Sequence, residues 1–86
     1  MHTVELLEQA LVTAERAGIR YRQDWLGGSG GGYCELNGQK WIFLDLGQSP
    51  AEQLEQVLEA LRQEPRVLNL QMPDDLRAKI GLRKSA

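Results

Sequence analysis

The run Gly27-Gly28-Ser29-Gly30-Gly31-Gly32 is the first feature that could do chemistry, because closely spaced backbone amides can cradle an anion such as a phosphate. A nucleotide loop leads into a helix and, in the ATP type, ends in Gly-Lys-Ser or Gly-Lys-Thr. This run leads instead into Tyr33-Cys34-Glu35-Leu36 and reads as an inter-strand loop. Cys34 could be a nucleophile, but a nucleophile needs a base, and the single histidine is His2. One cysteine and one histidine cannot build a closed zinc site, so Cys34 reads as a packing residue. Glu52, Glu55 and Glu59 could share acid and base work. They fall away from the apolar stripe Leu54, Val57, Leu58 and Leu61, which makes them a solvated helix face. No catalytic, metal-binding or cofactor-binding residue emerges, no cofactor is expected, and the chain leans away from enzymes.

Arg20 and Arg22 interleave with Tyr21 and Trp25, a mixture used on nucleic-acid platforms where bases stack on aromatic rings between phosphate contacts. Strand alternation, however, sends these arginines and these aromatics to opposite faces. The net charge of −2 also argues against general nucleic-acid affinity. Basic charge collects late: residues 66–86 carry five basic and two acidic side chains, net +3, with Arg77 and Lys79 among them. Weak, salt-sensitive binding through that segment is the most such a distribution supports.

These residues must be positioned by local elements. Val4, Leu7, Leu11 and Ala14 recur at helical spacing behind Thr3, a candidate N-cap, and Gly18 stops the helix. From Ile19 the period becomes two, with Ile19, Tyr21 and Trp25 on the covered side of a strand. Asn37-Gly38 accepts the positive φ angles of a type I′ turn. That turn pairs Leu36 with Gln39, Glu35 with Lys40, Cys34 with Trp41 and Tyr33 with Ile42, and it suggests an ion pair between Glu35 and Lys40. Ser49-Pro50-Ala51-Glu52 is a capping box opening a second helix, which Pro65 ends. Leu68, Leu70 and Met72 then alternate as an extended segment, and a last helical turn carries Leu76 and Ile80. The fold class expected is α+β: helix, three-stranded antiparallel sheet with a tight Asn-Gly hairpin, helix, then an extended tail with a short helix. The hairpin and second helix should be its centre, with Leu58→Ala more damaging than any substitution in the glycine run.

With 86 residues the chain has room for one core, expected over residues 1–81, with 82–86 as a frayed basic tail. Trp41-Ile42-Phe43-Leu44 is the longest strictly apolar stretch, too short for a membrane span, and the opening residues lack a secretory pattern, so a cytoplasmic protein is expected. The strand from Gln39 to Leu46 is apolar on both faces. The helices can cover one, and the C-terminal segment or a second copy of the chain must cover Trp41 and Phe43 on the other.

A leading helix, a strand, a glycine-rich approach to a hairpin ending in Ile42-Phe43-Leu44-Asp45, and Ser49-Pro50 opening an amphipathic helix together resemble the front half of ImmA/IrrE-type zinc metallopeptidases over residues 4–63. In that family the helix after the hairpin carries His-Glu-x-x-His. The matching stretch here is Glu59-Ala60-Leu61-Arg62-Gln63, so the resemblance implies the scaffold without its zinc or its peptidase chemistry. Gly31-Gly32-Tyr33-Cys34, Leu58-Glu59-Ala60-Leu61 and Pro73-Asp74-Asp75-Leu76-Arg77 are also similar to a group of small bacterial proteins, which implies that fold and a bacterial origin. The expected function is a non-catalytic protein-interaction or regulatory module, its partner another protein or a second copy. The surface residues expected to serve it are Trp41, Phe43, Cys34, Arg20, Arg22, Arg77 and Lys79. An enzyme with a site formed at a subunit interface is the second reading, and a weak nucleic-acid binder the third.

Overall fold

The computed structural model describes residues 2–82. Along the chain run α1 (Thr3–Arg16), β1 (Ile19–Asp24), β2 (Gly32–Leu36), β3 (Gln39–Asp45), α2 (Pro50–Arg62), a 3-10 helix (Pro65–Asn69) and α3 (Asp74–Ile80). Local signals account for most boundaries. Asn37 and Gly38 both take positive φ, 52° and 80°, and the β2–β3 hairpin has the register set by that turn, Leu36 to Gln39 through Tyr33 to Ile42. At the start of α2, Ser49 Oγ accepts from the Glu52 amide at 3.2 Å, and the Glu52 carboxylate accepts from the Ser49 amide at 3.3 Å. The N-cap of α1 is His2 rather than Thr3, and its side chain makes no capping bond.

The sheet is mixed, not antiparallel. Its order is β1-β3-β2, with β2 antiparallel and β1 parallel to β3. Pairing consecutive strands would have placed β1 beside β2, but a loop of seven residues between them is long enough to cross the end of β3. The β1 strand also ends before Trp25, which turns outward and is 73% exposed rather than covered.

Helices α1 and α2 pack together over one sheet face. Ile19, Ile42 and Leu44 from the sheet meet Ala10, Ala14, Val57, Leu58 and Leu61 from the helices, all of them buried. The C-terminal segment joins this same layer. Val67, Leu76 and Ile80 are buried in the one core, and α3 packs on α1 and α2. Residues 66–82 therefore do not cover Trp41 and Phe43 as expected, because Val67, Leu76 and Ile80 are buried against the helices on the other side of the sheet. The expected extended stretch at Leu68 and Leu70 is a 3-10 helix. Pro65 presets its φ and the Glu64 carboxylate accepts from the Arg66 amide at 3.1 Å. Arg62 ties α3 down by donating to the carbonyls of Lys79 and Ile80 at 2.9 and 3.2 Å. Leu82 packs partly on the core, and the rest of the expected tail, 83–86, lies outside the described residues.

Lys40 does not pair with Glu35. Its ammonium donates to the buried carboxylate of Glu64 at 2.7 Å, joining the central strand to the start of the 3-10 helix. That bond holds the Glu64 carboxyl down at about 2, against burial, which pushes it up, and with help from Arg66. A carboxyl depressed on folding contributes stability that is complete above its ordinary value of 4.5 and is lost as pH falls through about 2. Glu64→Gln should therefore melt below the wild type at neutral pH, and the gap should narrow as pH falls from 4.5 toward 2. A gap that stays constant over that window would show that Glu64 acts only through its shape.

Candidate functional site: the open sheet face

The glycine loop arrives at the C-terminal end of β3, where its amides are already engaged. Asp45, the last residue of β3, is wholly buried. Its carboxylate accepts from the amides of Gly47 at 2.8 Å and of Leu26 and Gly30 at 3.0 Å. Burial pushes this carboxyl up, and the amides of Gly47, Gly30, Leu26 and Gly28 more than reverse it, so it lies below the ordinary aspartate range. The Gln56 amide, oriented by its neighbours, donates to the Phe43 carbonyl and accepts from the Gly31 amide, each at 3.3 Å. The loop is thus a clasp around an internal anion, and the amides of Gly28, Gly30 and Gly31, which could have cradled a phosphate, are turned inward.

Below the clasp, no helix packs on the sheet face away from α1 and α2, and Trp41 and Phe43 there are half-buried. The Cα atoms span 15 Å in the thinnest direction, room for a sheet and one helical layer but not a third. On β3, Trp41 and Phe43 point to this face and stack with ring centroids 5.9 Å apart and planes 13° from parallel. The register sets Arg20 and Cys34 beside Trp41 and Arg22 beside Phe43. The Arg20 guanidinium carbon lies 5.9 Å from the centre of the Trp41 ring, a cation–π contact. Arg22, Leu36, Asn37, Trp41 and Phe43 line a shallow depression of about 350 Å³, and Leu36 is half exposed.

Five of the seven expected surface residues, Trp41, Phe43, Cys34, Arg20 and Arg22, are brought together here. Arg77 and Lys79 are not. They lie on α3 in the helical layer, where Arg77 donates to the Leu70 carbonyl at 3.1 Å. Arg20 and Arg22 do oppose Tyr21 across their own strand, but β3 supplies other aromatics to the arginine side. Glu55 and Glu59 are exposed and both reach Arg62, at 3.1 and 3.6 Å, which leaves no contrast of environment for acid–base work. At the end of α2 the stretch 59–63 includes Ala60 and Leu61, both buried in the core. Among the described residues no three His, Cys, Asp or Glu side chains converge as metal ligands, and no helix is long and apolar enough to cross a membrane.

Compared with models of protein families, with curated proteins and with solved structures, the chain matches none. Sequence reasoning missed Asp45 as the organiser of the loop. The signal was present, since an aspartate set between Leu44 and Leu46 in an apolar strand needs internal donors.

Proposed function

We propose that this protein is a non-catalytic interaction module whose open sheet face binds a partner protein. The observation that carries this reading is the stacked, half-buried Trp41–Phe43 pair flanked by Arg20 and Arg22 on a face that no helix of the described chain covers. Trp, Tyr and Arg are the residue types that dominate binding energy at protein interfaces, and an apolar patch of several hundred Å² rimmed by charge marks such a site. The partner must offer an apolar centre with carboxylates beside it. Two guanidiniums lie on this face, while the carboxylate of Asp24 is already used by the Trp25 amide at 2.8 Å. A second copy laid face to face would supply Cys34 and Leu36 from its β2, which offer those guanidiniums no charge. The resemblance to the metallopeptidase scaffold is consistent with this role, since a scaffold without its catalytic residues acts through its surfaces.

Incorporation of a photo-reactive benzoylphenylalanine at position 43 tests the reading in cells. The expected result is one cross-linked protein, identified by mass spectrometry, that binds again when both components are purified. Trp41→Ala should then weaken the purified complex by roughly thirtyfold, about 2 kcal/mol, and Leu68→Ala, exposed on the opposite layer, should leave it unchanged. Equal effects of the two variants, or cross-links to nucleic acid alone, would overturn the reading.

A further inference from the structure

The β1 strand borders β3 on one side only, so its outer edge carries backbone N–H and C=O groups with no strand partner among the described residues. Beside that edge an open groove of about 400 Å³ runs between β1 and α1. Val4, Leu11 and Val12 line it from the helix and Tyr21 and Gln23 from the strand, with exposed Glu8 among them. Val4 and Val12, two turns apart on α1, are 53% and 49% exposed. An unpaired strand edge supplies main-chain hydrogen bonds, and an adjoining apolar groove receives alternate side chains. Together they make a site for strand addition.

Charge selects what occupies it. Arg20 and Arg22 project on the face away from the groove, so a strand laid along β1 has every second side chain beside a guanidinium and the others over the valines. We infer that the β1 edge takes an extended segment of a partner protein in which acidic residues alternate with aliphatic ones. A second copy leaves a like-charge contact in either register: centring two β1 strands on Tyr21 sets Arg20 of each copy against Arg22 of the other, and centring them on Arg22 sets that residue against itself while each Arg20 meets Asp24. An acidic partner segment gives both arginines a carboxylate, which neither register of a second copy does. This edge shares Arg20 and Arg22 with the Trp41–Phe43 face but adds the unpaired main chain of β1 and the valine groove, so Val12→Asp tests the edge alone and Trp41→Ala the face alone.

The probe is a fluorescein-labelled peptide, Glu-Val-Glu-Val-Glu-Val-Glu, with Lys-Val-Lys-Val-Lys-Val-Lys as its charge-reversed control, titrated into the full chain. Anisotropy should show saturable binding of the acidic peptide, tighter than the basic one by about tenfold or more. Amide NMR shifts should cluster in residues 4–12 and 19–23. Val12→Asp, and separately Arg20→Glu with Arg22→Glu, should each weaken binding by about tenfold or more while circular dichroism stays that of the wild type. Val4→Asp is a second groove variant, and its new carboxylate suits the first turn of α1. No saturation by about 1 mM peptide, equal affinity for the two peptides, or shifts centred on Trp41 and Phe43 would each overturn the inference. So would a dimer in sedimentation equilibrium that Val12→Asp dissolves, since the edge would then belong to a second copy.

Discussion

Replacing Gly31 with alanine is expected to destabilise the fold as much as truncating a core leucine, by about 3 kcal/mol or more in denaturant melts. A β-carbon on Gly31 would run into the Phe43 carbonyl oxygen and lie 2.5 Å from the carbonyl carbon. Both atoms belong to the backbone of the central strand, so no change of rotamer relieves the clash. Either the loop lifts off β3 or β3 bends beneath it. Lifting the loop also separates Gly31 from Gln56 and pulls the Gly30 amide from Asp45. Leu58→Ala is the reference, with a buried side chain removed from α2 at about 2 to 5 kcal/mol. Gly31→Ala should therefore rival Leu58→Ala, against the expectation that any substitution in the glycine run is milder, because the loop is packed against backbone. Its neighbour Gly32 faces open space, and Gly32→Ala should fall within about 0.5 kcal/mol of the wild type. Melts in which the two glycine variants behave alike would refute the close approach.

Asp45→Ala should lower the melting temperature by about 10 °C or more. The substitution removes a buried acceptor and leaves the part-buried amides of Leu26, Gly30 and Gly47 without their common partner. Unsatisfied buried donors carry their full desolvation penalty, which is larger than the net gain from making the bonds. The loop is the only connection between β1 and β2, so its release frees the edge strand β2 and uncovers the end of β3. Asp45→Asn tests the charge separately, since it keeps the shape but presents an amide nitrogen to backbone donors. The Asp45 carboxyl is depressed on folding, so its contribution is complete above the ordinary value of 3.8 and fades as pH falls below it. Hydrogen exchange should show the Gly30 and Gly47 amides protected in the wild type and fast in either variant. Unchanged protection in Asp45→Ala would mean that Gln56 and the backbone hold the loop without the carboxylate.

The two candidate surfaces follow from one architectural fact. An 86-residue chain with one helical layer has enough apolar surface to cover one sheet face, and α3 joins that layer rather than forming another. What no helix covers is the half-buried Trp41–Phe43 face, and the outer edges of β1 and β2 have no strand partner among the described residues. The first is rich in aromatic rings and guanidiniums and suits a compact protein surface. The β1 edge lies beside half-exposed valines and suits an extended segment.

Where structure depends on neighbours in the chain, the sequence by itself was decisive. The Asn37-Gly38 turn and the whole register from Leu36–Gln39 to Tyr33–Ile42 follow from two residues that accept positive φ. The capping box at Ser49 and Glu52, the buried stripe of α2 and its termination before Pro65 follow from spacing and from the missing proline amide. Three features were decided only by the tertiary structure. The parallel pairing of β1 with β3 depends on where the glycine loop crosses, which Asp45 decides through amides up to nineteen residues away in the chain. The pairing of Lys40 with Glu64 rather than Glu35 depends on the 3-10 helix packing beside the central strand. The gathering of Arg20, Arg22, Trp41 and Phe43 on one face depends on β1 lying next to β3, because alternation within a strand sorts its own side chains but is blind to those of its neighbour.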